Sequence, residues 1–519
     1  MDYLKIGSAN DLEGSDRKLY RALEALPGIL AWGSLIGLTI LSYFKSVFVA
    51  YFIIAFDVYW LLLVLYLNIY LVTAYRRLKK NVLVNWQILC ESLPRKTIIT
   101  TEGQIELVWS DIIHLIVLPV YTEGLDIIEP TIKAIAKSNF PLKNFIVVLA
   151  VEARGGATVM ANAEKMREKY GQLFRNFLVI IHPDGLPDEI KGKGSNQAWA
   201  ARVVKEQLID AEKIDYNKIL VTVFDIDTVS YPNYFHNLTY HFLTAENPYR
   251  ASYQPIPIYH NNLWQAQFFA RIAASSNSFW QMMQQIRQEK LATYSSHSMT
   301  WRALVDIGFW STKMVSEDSR IFWHCFCYYK GDYRVEPMYY PVSMDVCVSD
   351  TFLETAKSLY KQQRRWGWGV ENVPYLIFNA IKNWKNLPKK RVLDRIFVQL
   401  HGFHSWATNA LIIAAVGWLP IILGGDSFNS TTLSANLPFV TKLLMTLAMS
   451  GLILSAIIST LLLPPKPHEI SSFKYLLIPL EWIVLPASII IFGSIPALES
   501  QTRLMFGKYL GFRLTPKKR

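Results

Sequence analysis

Long apolar runs at both ends of the chain restrict its fold more than any motif does. Pro27 to Tyr43 reads PGILAWGSLIGLTILSY, and after Lys45 a second run extends from Val47 to Val72. Three more occupy about 397–424, 438–463 and 475–498. A helix needs about 20 apolar residues to cross a hydrocarbon core, and these runs have that length or nearly so. Buried helices of soluble cores rarely stay apolar over such a distance. The sequence therefore predicts a multi-pass membrane protein with five or six spans. Composition agrees, since the 519 residues are 51% hydrophobic and only 18% charged, where soluble domains carry about 25% charged residues.

Lysine and arginine set the expected orientation. The segment before 28 is rich in basic residues. Arg76, Arg77, Lys79 and Lys80 follow the second run, and Lys382, Lys385, Lys389, Lys390 and Arg391 precede the third, whereas 424–437 has no Lys or Arg. The N-terminus and the large middle region are thus expected on the cytoplasmic side of the plasma membrane. Five spans would carry the basic tail outside. Glu481, Pro486 and Pro496 mark the last run as a candidate re-entrant or broken segment. Intramembrane charge is sparse, with Glu481 the clear case, which disfavours an ion-coupled transporter. No cleaved signal peptide is evident. Cys90, Cys325, Cys327 and Cys347 lie in the cytoplasmic part and are expected as free thiols, the CxC at 325–327 being too sparse for zinc. A net charge of +12 suits anionic headgroups and phosphorylated substrates as well as nucleic acid.

Between about 81 and 396 the composition is that of an ordinary globular domain. Apolar runs IIHLIVLPV (112–120), FIVVLAVE (145–152), FLVIIHP (177–183) and KILVTVFDID (218–227) alternate with helical patterns at 126–138, around 157–171 and at 195–211. Short β-branched strands alternating with helices predict an α/β domain with a mostly parallel, Rossmann-like sheet. Such sheets bind ligands at the carboxyl ends of their strands. No GxGxxG follows the first strand, which argues against a dinucleotide fold. The expected organisation is a cytoplasmic segment (1–27), two transmembrane helices (28–75), the catalytic domain (81–360), interfacial amphipathic helices (361–396), about three further spans (397–498) and a basic tail (499–519).

Three motifs carry candidate chemistry. Asp225 and Asp227 end an apolar strand, and carboxylates two apart on an extended segment point the same way. Like charges there need a cation, and Mg2+ or Mn2+ shared with substrate phosphates would supply it. A solvated strand end is the plainer alternative. Glu317 and Asp318 begin a helix behind Ser316. Ser316 capping with acidic first-turn residues explains them structurally, while a carboxylate so placed can also act as a general base. In KQQRRWGWG (361–369), Gln362, Arg365 and Trp366 share one side of a helix. Arginine suits a diphosphate and tryptophan the face of a sugar. An amphipathic helix on headgroups is the alternative, with Lys361 and Arg364 facing lipid. Nucleic acid is not an expected partner, because no domain-sized basic face accompanies this stretch.

The order of the motifs is more specific than any one of them. A strand-end DxD, a Glu-Asp about 90 residues later, QxxRW about 45 further, and flanking spans resemble the membrane-embedded processive enzymes of glycosyltransferase family 2, such as the cellulose, chitin and hyaluronan synthases. The resemblance implies a GT-A domain and an inverting, metal-dependent transfer from a nucleotide sugar to a glycan. It implies that Asp225 and Asp227 face the diphosphate and its Mg2+ or Mn2+, and that Asp318 is the base beside Glu317. Gln362, Arg365 and Trp366 would close over diphosphate and acceptor, with Trp368 also near the acceptor. Lys193, with Asn196 in GKGSN, would support the nucleotide. The resemblance implies a UDP-sugar; at the position of the family's uracil-contacting Asp this sequence departs, with Glu152 keeping a carboxylate of longer reach. The tail residues Phe512, Thr515 and Lys517 resemble a gating segment. Trp406, Asn409 and Trp418 are candidates to line a polymer path. Transfer of one sugar to a lipid acceptor, and a transporter or scaffold with an inactive enzyme domain, are the competing readings.

Overall fold

In the computed structural model the described residues are 2–100, 103–468, 470–511 and 515, with backbone alone at 99, 100, 472 and 474–476. Phe512 and Lys517 lie outside the described residues, and Thr515 is buried. Two long helices open the chain, α1 (Gly14–Phe44) and α2 (Ser46–Leu83). Helix α1 begins well before Pro27, where the apolar run starts. Residues 14–26 form an amphipathic entry that buries Tyr20 and Glu24, and Pro27 costs one backbone hydrogen bond without ending the helix. At 1.5 Å per residue α2 is about 57 Å long, so Arg76–Lys80 lie beyond its apolar stretch. Asp57, within that stretch, is 1% exposed and is a second acidic residue in the apolar runs besides Glu481.

The α/β domain is built on an eight-stranded sheet. Its strands are β1 (Ile113–Val120), β2 (Phe145–Glu152), β3 (Asn176–His182), β4 (Ile219–Val223), β5 (Val229–Ser230), β6 (Ala251–Ile258), β7 (Ser298–Thr300) and β8 (Arg334–Ser343), in the spatial order 3-2-1-4-7-6-8-5. The run 3-2-1-4 is parallel, β7 is antiparallel to both neighbours, β6 and β8 are parallel, and β5 closes the edge antiparallel to β8. Every residue of β1, β2 and β4 is buried, as continuous apolar strands covered on both faces require. One face packs on Ala198, Ala201 and Val204 of α3 (Lys193–Val204) and on Trp301 and Phe322. The other packs on Ile128, Ile132, Phe235 and Leu238. A separate hairpin pairs Lys96–Thr100 with Gly103–Leu107.

Helices α4 (Phe268–Ile286), α5 (Glu317–Tyr328) and α6 (Phe352–Gly367) join this domain to the rest. Among the described residues four helices are long and apolar enough to cross a membrane: α1, α2, α8 (Thr432–Leu461) and the composite segment Leu477–Met505. A fifth is obtained if α7 (Lys389–Ala414) and Val416–Leu423, bent by 42°, count as one. Exposed faces such as Ile29, Ile36, Phe48, Ile69, Phe439 and Ile453 suit a lipid surround.

Residues 477–505 run along the α/β domain. Near their start Arg271 of α4 donates to Glu481 (Nε–Oε2 2.9 Å). In the middle Phe492 stacks on Phe269 at 5.3 Å. In their last helix, α9 (Ile495–Met505), Glu499 accepts from Arg364 of α6 at 2.7 Å. Both ends of the segment therefore contact helices that connect to the α/β domain, and Glu481 is paired with Arg271.

Candidate active site

Lys193 is the centre of the site. It opens α3 after the loop that follows β3, and is 8% exposed. Its ammonium lies 2.7 Å from Asp225 Oδ1, 2.9 Å from both Asp318 oxygens and 3.6 Å from Glu317 Oε1. Burial alone would drive this amine toward neutrality, but Asp225, Asp318 and Glu317 outweigh burial and raise its pKa. Gly194 makes the approach sterically feasible, since a Cβ there would lie 2.8 Å from Ser311 O and 3.1 Å from Glu317 Cβ. Glu317 is 3% exposed. Burial, then the Asp318 charge, pushes its carboxyl up to about 8 against the pull of Lys193.

The Asp225–Asp227 stretch differs from the expected extended pair. Strand β4 stops at Val223, and the Thr228 N–H closes a turn on Asp225 O at 2.7 Å. The two carboxylates consequently serve different partners. Asp225 meets Lys193 and accepts from Ser295 Oγ at 2.6 Å. Asp227 is 1% exposed and accepts the Asp345 N–H at 3.0 Å. Among the described residues no three His, Cys, Asp or Glu side chains gather around a common metal position. The oxygen donors present fit a hard cation that takes Asp225 together with substrate phosphate oxygens.

Glu152 ends β2 beside His182 of β3. It is buried and held by the Arg154 guanidinium, which lies over the Tyr121 ring at 4.8 Å. Burial raises its carboxyl pKa against the opposing charge of Arg154. Asn196 donates to Ala150 O at 2.7 Å, so it ties α3 to β2 behind Glu152. On α6, Gln362, Arg365 and Trp366 are partly exposed. The Arg365 charge acts on Glu317, and Trp366 packs against the cluster of Tyr259 and Phe269.

Two expectations for KQQRRWGWG change. Arg364 does not face headgroups: Glu499 pairs with it, and Ser500 Oγ donates to its carbonyl at 2.7 Å. Trp368 is 1% exposed and donates its indole N–H to Glu371 at 2.9 Å, which places it in packing with Val315 and Leu504. Ser316 stands at the N-cap of α5 without capping it; its hydroxyl donates to Glu371 instead. Ser295 and Glu371 were not singled out from the sequence, because nothing local marks a serine or glutamate whose partner is many residues away. Cys90, Cys325 and Cys347 are buried and all four cysteines are free.

Residues 220–467 match the family model described as Glycosyl transferase family group 2. That match supports a glycosyltransferase of family 2 type, and the mostly parallel sheet with apolar helices at both ends is the GT-A arrangement expected of one. No curated protein matches the chain by sequence. Among solved structures, the mannosyltransferase PcManGT from Pyrobaculum calidifontis, in complex with GDP-Man and Mn2+, is 12% identical with a TM-score of 0.41, covering 76% of this chain and 98% of its own. TarS of S. aureus is 11% identical with a TM-score of 0.35, covering 67% of this chain and 55% of its own. TarS 1-349 in complex with UDP-GlcNAc is 12% identical with a TM-score of 0.32, covering 67% of this chain and 91% of its own.

Proposed function

We propose that the protein is an inverting glycosyltransferase that moves a sugar from a nucleotide-diphosphate sugar, a UDP-sugar by the position of Glu152, to an acceptor at the cytoplasmic face of the plasma membrane. The observation that carries this reading is Lys193 drawing Asp225 and Asp318, from distant parts of the sequence, to one point at the carboxyl edge of the sheet. Asp318 takes the proton of the acceptor hydroxyl as that oxygen attacks the anomeric carbon. The bond from that carbon to the diphosphate oxygen breaks, and the configuration inverts. Positioned general bases contribute about 10²–10⁴-fold. The charge of the departing diphosphate is met by Arg365 and Lys193. Mg2+ or Mn2+, held by Asp225 with the phosphate oxygens, would supply further charge neutralisation. Asp227, through Asp345, would fix the backbone behind this position.

The acceptor in this reading is a growing polysaccharide. Transfer of one sugar to a lipid is a second reading with its own support. Leu38, Val49, Ile53, Ile412 and Val416 fill the seam between α1, α2 and the α7 region with apolar side chains, and Trp418 faces outward. Product size distinguishes the two. The Arg271–Glu481 and Arg364–Glu499 contacts support a topology in which residues 477–505 return to the cytoplasmic side, so that the basic tail stays there. The test of the reading is nucleotide release by the purified chain with a panel of nucleotide sugars and Mg2+ or Mn2+, measured with product size; no release with any donor, with or without a lipid acceptor, would overturn it.

A further inference from the structure

Glu371 follows the QxxRW helix, in a short turn formed by Trp368–Glu371, and is 7% exposed. Its carboxylate is saturated from two directions. Oε1 accepts the Ser316 N–H at 3.1 Å and the Ser316 hydroxyl at 2.6 Å, and Oε2 accepts the Trp368 indole N–H at 2.9 Å. Ser316 immediately precedes Glu317 and Asp318. The next residue, Asn372, which begins the following helix, repeats the grip. Asn372 donates to Ser319 Oγ at 2.8 Å and accepts from Arg320 Nε at 2.6 Å. Arg320 in turn donates to Glu371 O at 3.3 Å and to Ile6 O at 2.8 Å, and its guanidinium lies 3.8 Å from the Tyr375 ring centroid. Residues 316, 319 and 320 surround Asp318 in sequence, so the first turn of α5 is held from behind while its carboxylate faces Lys193.

We propose that Glu371 is a positioning residue that couples the QxxRW segment to Asp318, an inference that rests on Asp318 being the base. A carboxylate is suited to this task because it accepts three hydrogen bonds at once without offering a donor that would repel Ser316 or Trp368. The buried Arg320 offsets its charge. Any displacement of Arg365 and Trp366 over a bound diphosphate is then transmitted through Trp368 and Glu371 to the backbone N–H that precedes the base.

The test compares Glu371→Gln, Ser316→Ala, Ser316→Thr and the double variant Glu371→Gln/Ser316→Ala in the full chain in lipid nanodiscs, reading kcat, donor KM and nucleotide affinity. Loss of hydrogen bonds to a charged group is worth roughly tenfold to a hundredfold. The expected result is a kcat lower by about that factor in Glu371→Gln and by about tenfold in Ser316→Ala, with donor KM and nucleotide affinity within about threefold of wild type. Ser316→Thr, which keeps the hydroxyl, retains wild-type kcat, and the double variant is no slower than Glu371→Gln. Losses that multiply in the double variant, or an unchanged kcat in Ser316→Ala, would overturn the coupling. If Glu371→Gln does not fold, the Ser316→Ala and Ser316→Thr pair decides alone. An inactive wild type overturns the catalytic reading and this inference together, whereas an active wild type with unaffected variants overturns the inference only.

Discussion

Replacing Lys193 with Met tests the electrostatics of the site most severely. The variant keeps the length and apolar stem of the side chain but removes a buried cation that serves Asp225 at 2.7 Å, Asp318 at 2.9 Å and Glu317 at 3.6 Å. Breaking a buried ion pair by removing one partner costs about 3–5 kcal/mol, because the remaining charge is left uncompensated. At about 2 °C per kcal/mol for a large domain, the thermal midpoint should fall by about 6–10 °C at pH 8. The pH dependence follows from sign. The lysine pKa is raised in the fold, so the contribution of Lys193 is complete below the unfolded lysine value of about 10.4 and is constant between pH 5 and 8. In the variant, the facing carboxylates repel one another and take up protons more readily. The deficit should therefore shrink as pH falls toward 5. Thermal unfolding followed by tryptophan fluorescence in detergent would measure both effects. Lys191→Met is the control, since its pair with Asp184 is largely exposed and worth about 0–1 kcal/mol. A Lys193→Met midpoint equal to that of the control at both pH values would refute this reasoning.

Burial and then the Asp318 charge push the Glu317 carboxyl up to about 8. A carboxyl raised by folding stabilises the fold below its unfolded value and loses that contribution as pH rises through about 8. Glu317→Gln should therefore flatten the fall in thermal midpoint between about pH 5 and 8, and an unchanged slope would argue against the assignment. At Gly367 a Cβ would lie 3.1 Å from Ala497 Cα and 3.2 Å from Ser500 Oγ. Gly367→Ala should force α6 and α9 apart at a cost of about 1–3 kcal/mol, seen as a lower thermal midpoint and a raised donor KM; wild-type values for both would contradict the close packing.

Strands β1, β2 and β3 were legible to within a residue because they are continuous β-branched runs between turn signals. Strand β4 ends at Val223, short of the apolar run that continues through Phe224 and Ile226, because the Thr228 hydrogen bond to Asp225 has already turned the chain. Strands β5 and β7 are two and three residues long, too short for any period to show. Strands β6 and β8 each carry two prolines, Pro255 and Pro257, and Pro337 and Pro341, which argue against a strand when sequence alone is read. In the candidate site, motif order pointed to Asp225 and Asp318 and the family resemblance to Lys193, and the fold brings these three side chains together. The Arg364–Glu499 pair and the Ser316–Glu371 bond were not, because each joins residues far apart in the chain and neither leaves a local pattern. The last apolar run was ambiguous for the same reason. Its ion-pair partners, Arg271 and Arg364, lie on distant helices.

The most direct measurement is donor binding and turnover in Asp318→Asn. The substitution keeps the shape of the side chain and removes its capacity to take a proton. With nucleotide affinity measured calorimetrically and product formation followed in the same preparation, affinity should stay within a few-fold of wild type and turnover should fall by about 10²–10⁴-fold. Turnover close to wild type, with affinity unchanged, would contradict Asp318 as the base and with it the central claim.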